Sequence, residues 1–136
     1  MSKLQNKFAR LAAWVAVVLA VVGTSALVSI QRAHAQAPTV NVSGIWVTQF
    51  AGAQAIVTLA QSGPHVTGTY VNSAPLSPGA LAGVMRGNTL VGRWTDATTS
   101  GGFALVFGPD GRAFVGTWGR TVTNTTNGGA WNGNRQ

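Results

Sequence analysis

The stretch HVTGTYVN, residues 65–72, contains the pattern that decides the fold. It alternates as a strand does, yet a glycine, a poor strand former, occupies its centre at position 68. Related phrases recur as LVGRW at residues 90–94 and FVGTW at 114–118, and in shortened form as GIW at 44–46. The glycines of these phrases are each 24 residues from the next: Gly44, Gly68, Gly92 and Gly116. A spacing this regular indicates a structural repeat.

The repeating unit is predicted to be a hairpin. A second set of glycines, Gly63, Gly87 and Gly111, has the same spacing and falls in turn-forming sequence between apolar runs. Short runs of strand-forming residues end at Gly, Pro, Asn or Asp, and no window has the periodicity of an amphipathic helix. The sequence predicts eight strands, at residues 43–50, 54–61, 65–71, 80–86, 89–96, 102–108, 112–119 and 128–135.

Eight consecutive hairpin strands favour an all-β, eight-stranded antiparallel up-and-down barrel, a meander of 24-residue hairpin repeats. A meander of this size closes on itself and so removes exposed strand edges. Interior glycines suit it, because closing a sheet requires sharply bent strands. An open or two-sheet arrangement is the alternative.

The two-residue period of a strand predicts which side chains point into the barrel. Val66, Gly68 and Tyr70 share one face, and the equivalent residues of the other three repeats share theirs. We expect this face to point inward, with the repeated aromatic rings stacked at one level of the barrel.

An export signal is predicted at the N-terminus, residues 1–35. Basic residues precede an uncharged apolar run from Leu11 to Ile30, and the small-x-small pattern Ala33-His34-Ala35 follows. We expect a signal helix that is cleaved after Ala35, with an uncleaved membrane anchor as the alternative. The remainder divides into a short linker, residues 36–42, and a single domain, residues 43–136, that is secreted or periplasmic.

Charge and cysteine content exclude several function classes. After the signal, the chain has five arginines, two aspartates and no lysine or glutamate, and the arginines are dispersed. This distribution lacks the basic patch of a nucleic-acid-binding protein. The absence of cysteine removes disulfides, thiol chemistry and cysteine-based metal sites.

Few residues could carry acid–base chemistry. Asp110 lies in the turn sequence Pro109-Asp110-Gly111, Asp96 ends a predicted strand, and His65 follows a turn. Ser62, His65 and Asp96 could be nominated as a triad, but no nucleophile motif surrounds the serine. We therefore predict a non-enzymatic protein with no catalytic residue, metal or cofactor.

The aromatic residues are the candidate functional residues. Their rings either fill the core or line a ligand cavity at one mouth of the barrel. Rings with polar tips suit an amphipathic small molecule. The loop 72–79, with two prolines, is predicted to be a lid or partner contact. The predicted ligand-binding residues are Tyr70, Trp46, Trp94, Trp118, Trp131, Thr48 and Asn72, with Asn132 as a further hydrogen-bonding group.

The segments SGIWVTQ, VTGTYVN and LVGRWTD resemble the opening strands of the avidin and streptavidin family. This resemblance implies a secreted eight-stranded up-and-down barrel that holds biotin in one mouth, usually as a tetramer. Tyr70 would match the tyrosine that contacts the ureido oxygen of the ligand, and Trp94, Trp118 and Trp131 would form the aromatic wall. Thr48 stands where the family pattern resembles asparagine. Lipocalin-like barrels carry related G-x-W openings.

The function predicted from these observations is binding of a small apolar or amphipathic ligand by an exported barrel. Two alternatives remain: an envelope protein-interaction module such as a periplasmic proteinase inhibitor, and a biotin-binding avidin-like protein. Partners would be a small ligand or a protein, with no nucleic acid, and with membrane contact only through an uncleaved signal.

Overall fold

The computed structural model describes residues 37–38, 40–73 and 76–136. The predicted signal segment, residues 1–35, lies outside the described residues. In the part of the chain that is described, no helix is both long enough and apolar enough to cross a membrane.

Eight antiparallel strands form a closed barrel in which each strand pairs with the next and β8 pairs with β1. The predicted meander barrel is therefore confirmed. The strands are β1 (Gly44–Phe50), β2 (Ala53–Ser62), β3 (His65–Ser73), β4 (Leu76–Arg86), β5 (Thr89–Asp96), β6 (Ser100–Phe107), β7 (Ala113–Trp118) and β8 (Gly129–Arg135).

The barrel has two different ends, set by the two kinds of connection. At the turn end, β2–β3, β4–β5 and β6–β7 are joined by tight turns that contain Gly63, Gly87 and Gly111. These glycines have φ of 58°, 61° and 64°, which only glycine adopts without strain. The opposite end, the aromatic end, carries the β1–β2, β3–β4, β5–β6 and β7–β8 connections.

The glycines inside β3, β5 and β7 pack closely against the backbone of the preceding strand. A β-carbon at Gly68, Gly92 or Gly116 would come closer than 3.0 Å to backbone atoms of that strand, including the carbonyl oxygens of Thr58, Ala82 and Ala104. Glycine is thus required by close backbone approach, which fits its predicted architectural role.

The predicted inward face is buried. Its large members, together with side chains from the even-numbered strands, form one continuous core. Along each strand, outward-facing residues alternate with these core residues. The outward-facing set includes exposed valines such as Val91 and Val115. The fully buried large side chains include Trp46, Trp131, Phe103, Phe107, Met85, Leu90 and Leu105.

The segment before β1 closes the turn end. Val42 is fully buried; its carbonyl accepts a hydrogen bond from the Trp46 indole at 3.0 Å, and its N–H donates to Gln61 Oε1 at 2.8 Å. Arg135 at the end of β8 donates to the carbonyls of Ser43 and Gly111 and stacks over the Trp46 ring. These contacts join the first and last strands to the β6–β7 turn.

Candidate functional site

Three of the repeated aromatic rings lie over glycines of the following strand or loop. The Tyr70 ring covers Gly79 in β4, and a β-carbon there would overlap the ring. In the same way Trp94 covers Gly101 in β6, and Trp118 covers Gly128 before β8. Each glycine leaves room for a ring that a larger residue would displace. The three rings converge at the aromatic end, where they line one gap and Trp94 and Trp118 are 5.8 Å apart.

Trp46, the fourth repeated aromatic, does not join them. Its ring packs against Phe107 and Phe114, with centroid separations of 5.2 and 5.5 Å, in the core nearer the turn end. The residue opposite Trp46 on β2 is Val57. The valine side chain fills the space that a glycine leaves open beside each of the other three rings. The expectation of a single aromatic level is therefore wrong for Trp46.

Phe50 lies on the same face of β1 as Trp46, four residues further along the strand. It supplies the β1 ring at the aromatic end. It lies edge-on to Tyr70 and Trp118, at 6.2 and 5.8 Å, and is tilted at 5.1 Å from Trp131. Trp131 projects from β8 into the base of this group and also contacts Phe103 at 5.7 Å. The aromatic cluster is defined by Phe50, Tyr70, Trp94, Trp118 and Trp131.

A cleft of about 310 Å³ opens above the aromatic cluster. A further gap of about 10 Å³, room for a single water, lies among the five rings. Apolar walls with a few polar groups at the rim are typical of small-molecule sites. The cleft is lined by Phe50, Tyr70, Asn72, Trp94, Asp96, Thr99, Trp118 and Arg120.

The polar rim of the cleft follows the repeat. Asn72, Asp96 and Arg120 each lie two residues beyond Tyr70, Trp94 and Trp118, so they extend the inward face to the mouth. The repeat thus supplies an amide, a carboxylate and a guanidinium at equivalent positions.

The Asp96 carboxylate organises the β5–β6 connection. Its Oδ1 accepts hydrogen bonds from the N–H groups of Thr98 and Thr99, both at 2.8 Å, and from both hydroxyls. These backbone donors stabilise the charged form and lower the pKa of Asp96 below its ordinary value of 3.8. Asp96 is therefore ionised at neutral pH.

The Tyr70 hydroxyl is held in its protonated form. Burial disfavours the phenolate, and the nearby charge of Asp96 adds to this, so the pKa of Tyr70 rises to about 12. The register explains the proximity: Tyr70 pairs with Gly79, and Gly79 pairs with Asp96 on the next strand. At neutral pH the hydroxyl is a hydrogen-bond donor as well as an acceptor.

Three buried polar atoms at this end have no hydrogen-bond partner among the described residues: Trp118 Nε1, Trp131 Nε1 and Asn72 Oδ1. Trp94 differs, because its Nε1 donates to the Gly119 carbonyl at 3.0 Å. Leaving a buried donor unpaired costs about 1–3 kcal/mol, so such groups call for an explanation. All three belong to the cleft or to the gap beneath it.

Two predicted hydrogen-bonding residues lie away from the cleft. The Thr48 hydroxyl is buried and donates to the Ala55 carbonyl at 3.1 Å, so its proton is already used within the barrel wall. Asn132 is exposed, and its side chain accepts a long hydrogen bond from Gly116 N–H. Of the predicted ligand-binding set, the structure brings together Tyr70, Asn72, Trp94, Trp118 and Trp131.

The candidate acid–base residues are not assembled. Ser62 and His65 flank the β2–β3 turn at the turn end, whereas Asp96 lies at the aromatic end. Asp110 accepts a hydrogen bond from Arg112 N–H at 3.0 Å within its own turn, as predicted. Within the described ranges, no three His, Asp or Glu side chains come together as a metal site.

The predicted lid at residues 72–79 is instead strand over most of its length. Asn72 pairs with Ser77 and Ser73 with Leu76, which leaves only residues 74–75, outside the described part, between β3 and β4. Pro78 is tolerated because the β4–β5 ladder begins only at Gly79, so its missing N–H costs no bond to β5.

The loop that borders the cleft is the β7–β8 connection, residues 119–128. Asn124 Oδ1 accepts hydrogen bonds from the backbone of Thr126 and Asn127, and Asn127 Oδ1 accepts from Arg120 N–H at 2.7 Å. Hydrogen bonds between Gly102 and the loop hold it against β6. The backbone that carries Arg120 is therefore fixed.

Phe50, Asp96, Thr99 and Arg120 are cleft residues that the sequence prediction missed. The signal for Phe50 was the alternation Trp46-Thr48-Phe50 along β1. Asp96 and Arg120 were marked by their position two residues after a repeated tryptophan. Thr99 had no signal, because it enters the cleft through the fold of the β5–β6 connection.

Comparison with known proteins gives no match to this chain among family models, curated proteins or solved structures.

Proposed function

We propose that this protein is an exported, non-enzymatic β-barrel that binds a small amphipathic molecule in the cleft at its aromatic end. The export part of the proposal rests on the sequence of residues 1–35.

The unpartnered indole N–H groups carry this proposal. A barrel that used its aromatic cluster only as core filling would gain nothing from two buried donors that find no acceptor among the described residues. A ligand acceptor placed in the cleft would pair with Trp118 Nε1, and the gap beside Trp131 has room for one bridging water. The surrounding rings supply apolar contact, and the Tyr70 hydroxyl and Asn72 amide supply orientation.

The broader ligand class is preferred here to biotin itself. The Thr48 hydroxyl is occupied by the Ala55 carbonyl and does not line the cleft. The avidin-like resemblance therefore supports the proposal at Tyr70 and the aromatic wall, but not at this position.

The test is a fluorescence titration with N-phenyl-1-naphthylamine, an uncharged dye that brightens in apolar sites, followed by competition with biotin. We expect saturable binding by the wild-type chain that weakens about tenfold or more in Trp118→Phe. Trp46→Phe is the matched control, because this ring is buried away from the cleft. Absence of saturable binding, or equal loss in both variants, would contradict the proposed site.

A further inference from the structure

We infer that the ligand of this cleft carries an anionic group, a carboxylate attached to a ring system, and that Arg120 is the residue that recognises it. This inference rests on the proposed function and adds the chemical class of the ligand.

Arg120 is the cationic residue of the cleft lining. Its guanidinium lies over the Trp118 ring, 5.7 Å from the centroid, and has no hydrogen-bond partner among the described residues. This cation–π contact places the exposed guanidinium at the rim with its N–H donors available to a ligand. A guanidinium presented in this way matches the geometry of a carboxylate, which can accept two parallel hydrogen bonds.

Asp96 is the other charged group of the cleft lining. Its carboxylate accepts hydrogen bonds from the loop that follows it. Four hydrogen bonds from Thr98 and Thr99 converge on its Oδ1, and Thr99 also approaches Oδ2. Oδ1 is therefore occupied within the β5–β6 connection, and Oδ2 has a longer contact, from the Thr99 hydroxyl at 3.3 Å. Arg120 differs in that none of its guanidinium donors has a hydrogen-bond partner among the described residues, and we therefore assign ligand recognition to its charge.

The remaining free groups also favour a ligand rich in acceptors. Trp118 Nε1 in the cleft and Trp131 Nε1 in the gap beneath it have no acceptor in the part of the chain that the structure describes, and Arg120 adds further donors. Asn72 Oδ1 is the single unpartnered buried acceptor among the described residues, so it has room for one ligand N–H or O–H. Among the unpartnered buried side-chain atoms at this end of the described barrel, donors thus outnumber acceptors, as expected where a carboxylate binds.

The size of the cleft limits the ligand to a compact ring system. Its volume of about 310 Å³ is at the lower end of the range for small-molecule sites, roughly 300–1,000 Å³. The aromatic cluster forms the floor, and Arg120 stands at the rim. This arrangement places a ring at depth and its carboxylate near the mouth.

The test compares three probes of nearly equal shape by calorimetry: naphthalene-2-carboxylate, naphthalene-2-carboxamide and naphthalen-2-ylmethylammonium. We expect the wild-type chain to bind the carboxylate about tenfold more tightly than the carboxamide, and the ammonium compound most weakly. Arg120→Gln should abolish this preference without abolishing binding of the carboxamide. Arg112→Gln, an exposed arginine at the turn end, is the control and should keep the preference.

Two results would overturn the inference while leaving the site intact: equal binding of carboxylate and carboxamide, or a carboxylate preference that survives in Arg120→Gln. Binding of N-phenyl-1-naphthylamine with no response to any of the three probes would also overturn it. Failure of that dye together with all three probes would instead contradict the proposed function.

Discussion

The phenol ring of Tyr70 crosses β4 directly above Gly79, so closely that a β-carbon at position 79 would overlap the end of the ring that bears the hydroxyl. Because Gly79 also pairs with Asp96, the glycine lets the tyrosine hydroxyl approach the carboxylate of a strand that is not its neighbour. Three groups on three consecutive strands thus shape one wall of the cleft.

Gly79→Ala should therefore displace the Tyr70 ring. We expect a loss of about 1–3 kcal/mol in the free energy of unfolding, measured by urea denaturation, because the added methyl group overpacks a filled site. Binding of N-phenyl-1-naphthylamine should weaken in parallel. Gly108→Ala is the control, because its β-carbon would come within 3.4 Å of one atom alone, an oxygen of the exposed Asp110 side chain at 3.2 Å, which has to move by only a few tenths of an ångström. Equal stability of the two variants would refute this role for Gly79.

Tyr70 is the only tyrosine of the chain, so its ionisation can be followed directly by phenolate absorbance. In the folded protein the pKa should be about 12, and after unfolding in urea it should return to about 10.0. Asp96→Asn should lower the folded-state pKa, because it removes the nearby negative charge while burial remains. A folded-state titration at the ordinary value would mean that the hydroxyl is solvated.

The same shift predicts a loss of stability at high pH. Because the pKa of Tyr70 is higher in the folded state, its contribution is complete below pH 10.0 and is lost as the pH rises toward about 12. Tyr70→Phe should remove this part of the pH dependence of the free energy of unfolding. An unchanged slope in the variant would contradict the assignment.

The lowered pKa of Asp96 predicts that the free energy of unfolding falls as the pH is lowered. Its pKa is lowered by folding, so its contribution is present above 3.8 and declines as the pH falls below that value. The stability difference between the wild type and Asp96→Asn should therefore be constant near neutrality and shrink below pH ~4. A difference that grows with acidification would show that the Thr98 and Thr99 donors do not stabilise the carboxylate.

Sequence periodicity could predict the barrel because each hairpin carries its own turn glycine and inward alternation. It could also predict that Tyr70, Trp94 and Trp118 converge, since they occupy equivalent positions. It could not place Trp46, because the position of that ring depends on the register that sets Val57 opposite it. The same limit applies to the 72–79 segment, where two prolines obscured a strand that only its pairing reveals.

The polar rim illustrates a different limit. Asn72, Asp96 and Arg120 have the same 24-residue spacing as the strand glycines, so their common level was available from the sequence. The sequence could not show which of the three side chains is free to contact a ligand. Asp96 is occupied by Thr98 and Thr99, whereas the Arg120 guanidinium has no hydrogen-bond partner in the described part of the chain and contacts the Trp118 ring; this difference arises from the folded loops.

Ligand contact with the aromatic cluster is the central claim, and proton–nitrogen NMR of the indole N–H groups during titration with naphthalene-2-carboxylate tests it most directly. The Trp118 signal should shift most, because its N–H lines the cleft and has no acceptor among the described residues, and the Trp131 signal should shift with it through the gap beneath the cleft. The Trp46 signal should stay in place, since its N–H is bonded to the Val42 carbonyl away from the cleft. Shifts at Trp46 alone, or none at Trp118 and Trp131 at saturation, would contradict the account.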